Sequence, residues 1–370
     1  MPSNEVQKNF NHWITQLESN SNRTVFFCST HAGADYDDYS SLSCFIDFLQ
    51  SISPKLKTKL ETNICLSGSL DNLYMSLCPT PDNFWKDSEF SDFEKYVDDL
   101  SKDEDFNLQI AVFGCSDLKR VNGNPYLKKL LETFPDKFTS LNFDHHIGGD
   151  DWATYNFVDD KASSNAENIL DILTETTDYK PNTTISTNLM VGLVSDTLNF
   201  FASSASYFTH SHAGKLMGYG CNIATVREIM YQKWSVQNLD RLNELVKKVE
   251  YLDLDTYNWS SNHSRNSLAL IDARTDSEVA TLFKDECMDI LKTKLLVLGK
   301  GKAGINKFGL SVRCLPESAV NASELAAYLG GGGHRLAAGV TLENMNYDQL
   351  KTALADSVKQ ISDTKTSKHV

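Results

Sequence analysis

The chain has 370 residues, enough for about two domains of roughly 100–200 residues each. With 41% hydrophobic, 10% aromatic and 23% charged residues it has apolar material for real cores, which excludes wholesale disorder. A formal charge of −14 argues against a protein that grips long nucleic acid through a basic face, and no apolar stretch reaches the roughly 20 residues needed to span a membrane. The polar start, MPSNEVQKNFNHW, lacks a signal-peptide layout, so a cytoplasmic protein is expected. Eight cysteines, at 28, 44, 65, 78, 115, 221, 287 and 314, form no CxxC pair and read as small reduced hydrophobes rather than a disulfide or zinc framework.

In chain order, Thr24–Ser29, Thr62–Leu66, Leu108–Phe113 and Phe138–Phe143 are short apolar runs bounded by turn residues, the pattern of buried strands. Amphipathic stretches, Tyr39–Ile52 and Tyr126–Thr133, lie between them, and the acidic segment from Asp87 to Asp105 reads as a solvated helix and loop. Strands spaced by helices predict βαβ units and a parallel sheet. From Thr184 to about Leu254 the pattern is helical, with NLDRLNELVKKVEYLDLD as one long amphipathic helix. Alternation then resumes, with strands at Ser267–Ile271, Thr293–Leu298 and Gly309–Arg313 and helices at Ser277–Ile290 and Tyr347–Ile361. The expected fold is α/β: a larger parallel-sheet domain over 1–255, a linker at 256–265, a smaller domain with a mixed sheet over 266–362, a cleft between the two, and a polar tail at 363–370.

Four clusters carry chemistry, each at the edge of a predicted element. His31, Asp35 and Asp37 follow the first strand at spacings that suit a loop binding manganese or magnesium, or simply a turn rich in Asp and Gly. Asp144-His145-His146 closes the strand FTSLNF, where an acid beside adjacent imidazoles can orient one of them. Asp196 ends the apolar run after Gly192, as a ligand or as a helix cap. Gly330-Gly331-Gly332-Gly333-His334-Arg335 reads as a glycine-rich opening to a small-residue helix, which suits an anion, or as a hinge.

Together and in this order, the HxxxDxD loop, the DHH triplet, the later acid and the GGGH motif resemble the DHH phosphoesterase superfamily, in the branch with a C-terminal DHH-associated domain. Size and layout are most similar to the bacterial nanoRNases, which also act as 3′-phosphoadenosine-5′-phosphate phosphatases. The resemblance implies one manganese on His31 and Asp35 and a second on Asp37, His145 and Asp196, with magnesium as the alternative metal. It implies that Asp144 supports His145 and that His146 faces the scissile phosphate. Arg313, Gly331, Gly332, Gly333 and His334, with Arg120, match substrate-binding positions. The implied substrates are short RNA or DNA oligonucleotides, linear dinucleotides or nucleoside bisphosphates, and a homodimer is a reasonable assembly.

One departure stands out. Counting back from Arg120 puts the metal-bridging aspartate of the resemblance at Gly114; Asp117, three residues on, is the nearest acid of that segment. The first ion is then left with two protein ligands, so one or two ions fit the sequence, and a second reading opens: a catalytically weakened relative that binds a nucleotide or small phosphate ligand.

Overall fold

The computed structural model describes residues 2–367, apart from 34, 69, 136, 147, 203, 263–265, 302–306 and 334. It divides into two compact units, Met1–Tyr231 and Gln232–Val370.

The first unit runs α1 (Asn4–Ser19), β1 (Arg23–Thr30), α2 (Tyr36–Ile52), β2 (Leu60–Leu66), α3 (Asn72–Met75), β3 (Asn83–Lys86), α4 (Phe90–Leu100), β4 (Phe106–Phe113), α5 (Leu118–Gly123), α6 (Pro125–Thr133), β5 (Phe138–Asp144) and β6 (Tyr155–Val158). Four helices follow: α7 (Asn165–Thr176), α8 (Thr183–Asp196), α9 (Tyr207–Gly218) and α10 (Ile223–Tyr231). Among the described residues the six strands form one all-parallel sheet of order β3-β2-β1-β4-β5-β6. Its central strands are apolar on both sides because helices cover both faces. Phe26 and Cys28 of β1 enter the core beneath α2, α7 and α8, while Val25 and Phe27 enter the core shared with α4 and α6. The acidic α4 therefore sends Phe93, Val97 and Leu100 inward and leaves its carboxylates in water.

The second unit comprises α11 (Val236–Val246), β7 (Glu250–Asp253), β8 (Trp259–Ser260), β9 (Ser267–Asp272), α12 (Ser277–Leu282), α13 (Lys284–Leu291), β10 (Leu295–Lys300), β11 (Lys307–Cys314), α14 (Ala322–Tyr328), β12 (Gly332–Gly333), β13 (Ala337–Glu343) and α15 (Tyr347–Ser367). Among the described residues its strands form a mixed sheet of order β12-β13-β11-β10-β9-β7-β8, in which β9 and β10 run parallel and the other neighbouring pairs antiparallel.

Five expectations change. The long helix predicted over NLDRLNELVKKVEYLDLD ends at Val246, and Glu250–Asp253 is strand β7. Tyr251 and Leu252 enter cores on opposite faces of the sheet, the period of a strand. Because α11 and β7 pack with the second sheet, the units part at Tyr231/Gln232 instead of within 256–265. The predicted helix Ser277–Ile290 is two helices that meet at Phe283. The polar tail expected from 363 belongs to α15 as far as Ser367, tied by the Lys365 ammonium 2.7 Å from Glu324.

The glycine-rich segment differs most. Among the described residues no helix opens after it: β12 and β13 pair as antiparallel strands, with Ala338 and Val340 buried on either side of the exposed Gly339. Small residues that suit a helix here follow the alternation of a strand. A Cβ on Gly331 would lie 2.3 Å from the Gly339 carbonyl oxygen, and one on Gly333 would lie 2.5 Å from Ala338 Cα. These glycines are set by close backbone approach in the sheet, not by a helix N-terminus. His334 lies outside the described residues.

Candidate metal centre

Strand order reverses between β1 and β4, so the loops leaving the C-terminal ends of β1, β4 and β5 flank the crevice where open α/β sheets bind ligands. His31 follows β1, Gly114 follows β4, and Asp144 ends β5. Asn124, fully buried, braces this edge: its amide donates to Ser29 Oγ at 3.0 Å and to the Thr30 carbonyl at 2.8 Å while its Oδ1 caps α6.

Two groups of ligand atoms gather there, each within 4.8 Å of one another. In the first, His31 Nδ1 donates to the Ala32 carbonyl at 2.8 Å, which turns Nε2 toward Asp35 Oδ2 at 3.7 Å and Asp38 Oδ2 at 3.2 Å. Asp35 also N-caps α2, accepting from the Asp38 amide at 3.0 Å through its other oxygen. In the second, His145 Nε2 lies 3.6 Å from Asp37 Oδ2 and 3.7 Å from Asp196 Oδ2.

Each member is fixed by its element. Asp37 is buried in the first turn of α2 and accepts from the Asn165 and Ala166 amides at 2.6 and 2.8 Å, so the N-terminus of α7 steadies its charge. Asp196 is the last residue of α8, where the helix dipole disfavours an acid; the alternative of an N-cap is set aside. One turn earlier, a Cβ on Gly192 would meet Ser40 Oγ at 2.1 Å and Asp37 Cα at 3.1 Å. Glycine lets α8 lie against α2 closely enough to bring Asp196 beside His145.

Asp144 serves a different histidine from the one expected. Its Oδ1 accepts from His146 Nδ1 at 2.6 Å and from the His145 and His146 amides at 2.9 and 3.3 Å. The acid therefore orients His146 and the turn. Asn168 fixes the same turn, donating to the Asp144 and Phe157 carbonyls at 3.0 and 2.9 Å. Arg120, in α5, is near enough to His146 for its charge to oppose the imidazolium. Asp117 is occupied as the N-cap of α5, accepting from the Arg120 amide at 2.9 Å. Arg313 belongs to β11 of the second unit, where its guanidinium donates to the Val312 carbonyl at 3.0 Å.

The cluster is electrostatically crowded. Burial, then the charges of Asp196, Asp38 and Asp35, hold Asp37 well above the usual carboxylate range. Burial and Asp35 push Asp38 up in the same way. Asp196, its side chain 36% exposed, is raised to about 6, chiefly by desolvation among these neighbours, against the pull of His145. The facing carboxylates of Asp35 and then Asp38 push His31 up to about 10. Four carboxylates gathered with two imidazoles are a donor set that divalent cations such as manganese or magnesium fit, and cations would relieve the mutual repulsion. Asp38 was missed in the sequence because an acid in the first turn of a helix is explained by the helix dipole alone.

Fold and site together define an α/β protein with a parallel sheet, a strand-order reversal and two His/Asp ligand groups at it. No protein-family model matches the chain. The fold is that of an exopolyphosphatase-related protein from Bacteroides fragilis, with a TM-score of 0.73 and 16% identity over 96% of this chain and 98% of that one. A pGpG-specific phosphodiesterase from Vibrio cholerae aligns at a TM-score of 0.39 and 12% identity over 90% of this chain and 99% of that one, too distant to bear on this chain. In sequence, an A-adding tRNA nucleotidyltransferase from Aquifex aeolicus is 22% identical over 221 residues, 59% of this chain. The chain spans about a quarter of that relative's length (25%). Among the described residues no helix is long and apolar enough to cross a membrane.

Proposed function

We propose that the chain is a metal-dependent phosphoesterase of the DHH superfamily, hydrolysing phosphate esters in short oligonucleotides, linear dinucleotides or nucleoside bisphosphates. The observation that carries this reading is the pair of His/Asp ligand groups at the sheet's strand-order reversal. His31 and Asp35 would hold one divalent cation, manganese or magnesium, and Asp37, His145 and Asp196 the other. Bound there, the cations would supply activation of water and neutralisation of charge on the phosphoryl oxygens.

The chain's own groups do the rest. Burial depresses the His146 pKa, but the hydrogen bond and the charge of Asp144 together outweigh it and draw the imidazole toward its charged form. An imidazolium held in one orientation gives a charge-assisted hydrogen bond to a phosphate oxygen and can return a proton to a leaving alkoxide. Arg120 adds a positive charge on the same side. The test is a manganese-dependent hydrolysis screen over a short RNA, a linear dinucleotide and adenosine 3′,5′-bisphosphate, with metal content measured on the same sample. Turnover of at least one substrate, abolished in His145→Ala, is expected. A ligand bound tightly and released intact would instead identify a nucleotide-binding relative without turnover.

A further inference from the structure

Asp38 has no place in the ligand sets derived from sequence, yet its side chain is only 3% exposed and its Oδ2 accepts no aligned hydrogen bond. What faces that oxygen is His31 Nε2, at 3.2 Å but off the line a hydrogen bond requires. A buried carboxylate oxygen with only this unaligned ion pair keeps unused acceptor capacity that a divalent cation would fill. Its other neighbour is a gap in the chain's side chains. Gly114, at the C-terminal end of β4 with φ +69°, would carry a Cβ only 2.0 and 2.1 Å from the two Asp38 oxygens. The amide of Gly114 is fixed to the Phe143 carbonyl at 2.9 Å, so that backbone cannot easily retreat.

The geometry points to Asp38 as the third protein ligand of the His31 ion, its carboxylate reaching from α2 into the space at the end of β4 that Gly114 leaves open. The inference rests on the site being a metal centre. It changes the count for that ion from two protein ligands to three, Asp35, His31 and Asp38, which is enough to hold a divalent cation. It also decides what an acid at position 114, the bridging place in the resemblance, would do. Gly114→Asp would displace Asp38 and strain the backbone, so it subtracts a ligand instead of restoring one.

Manganese titration of the full chain, followed by calorimetry and elemental analysis, tests this directly. Wild type is expected to bind two ions. Asp38→Asn, nearly identical in shape, should keep one and weaken the other by about tenfold or more. Gly114→Ala should weaken the same ion, and combining the two changes should cost little beyond either alone. Melting in EDTA separates ligation from structure: Asp38→Asn should melt no lower than wild type, since it removes a buried charge beside Asp35 and Asp37. Two ions bound at unchanged affinity in Asp38→Asn, or a much lower melting temperature in EDTA, would overturn the role of Asp38. Two ions retained by Gly114→Ala would overturn the role given to the glycine. Wild type binding no manganese would remove the metal centre itself, and the inference with it.

Discussion

At the scale of single residues, the site separates two jobs that adjacent histidines might share. His145 joins Asp37 and Asp196, while Asp144 engages His146 through a 2.6 Å contact. Asp144→Asn is therefore expected to leave manganese stoichiometry intact and to slow hydrolysis by about 10²-fold or more, the range for a mispositioned acid–base group. Rate and metal content measured on one preparation check this. Loss of metal along with rate would mean that Asp144 acts through His145 after all.

At the scale of elements, two packing contacts position the cluster. Gly192 sets the distance between α8 and α2, and Gly192→Ala should destabilise the fold by roughly 1–3 kcal/mol through overpacking on Ser40 and Asp37. Adding Ser40→Ala should recover part of that loss in denaturant titrations, leaving the contact with the Asp37 backbone. The second contact joins α9 to α7. His212, buried, lies 2.7 Å from Asp171 and 3.1 Å from Glu167. Burial by itself would depress its pKa, but Asp171 and then Glu167 outweigh that and raise it to about 9. A histidine whose folded pKa lies above its unfolded value near 6.5 stabilises fully below pH 6.5. That stability is lost as the pH rises through 9, and the total is of order 3 kcal/mol. Wild type should thus lose more unfolding free energy between pH 6 and pH 9.5 than His212→Gln does, as read by urea denaturation at both pH values. Parallel curves would show that the imidazole is neutral in the folded protein.

At the scale of the whole molecule, the proposed function makes the charge of −14 a barrier to long anionic substrates. Every nucleotide beyond the site adds a phosphate that an acidic surface does not neutralise. Dinucleotides should be hydrolysed faster than long single-stranded RNA, and the gap should narrow as salt screens the repulsion. Rates on a length series at low and high ionic strength measure it; equal rates at low salt would count against the idea.

How much of this was legible without coordinates follows from the range of each interaction. The four central strands β1, β2, β4 and β5 and the helices α2 and α6 were readable because apolar runs and helical periodicity are local signals. The spacing in His31-Asp35-Asp37, the Asp144-His145-His146 triplet and the acid at 196 marked candidates for the same reason. Sequence could not show that β7 alternates across a sheet or that Gly331 and Gly333 answer to strand packing, since those depend on partners many residues away. Nor could it show that Asp144 pairs with His146, which a turn decides within two residues of identical chemistry. Asp38 makes the distinction plainest. Its sequence neighbours make it an ordinary acid at a helix start, and only the approach of β4, with no side chain at Gly114, leaves that carboxylate buried and facing His31.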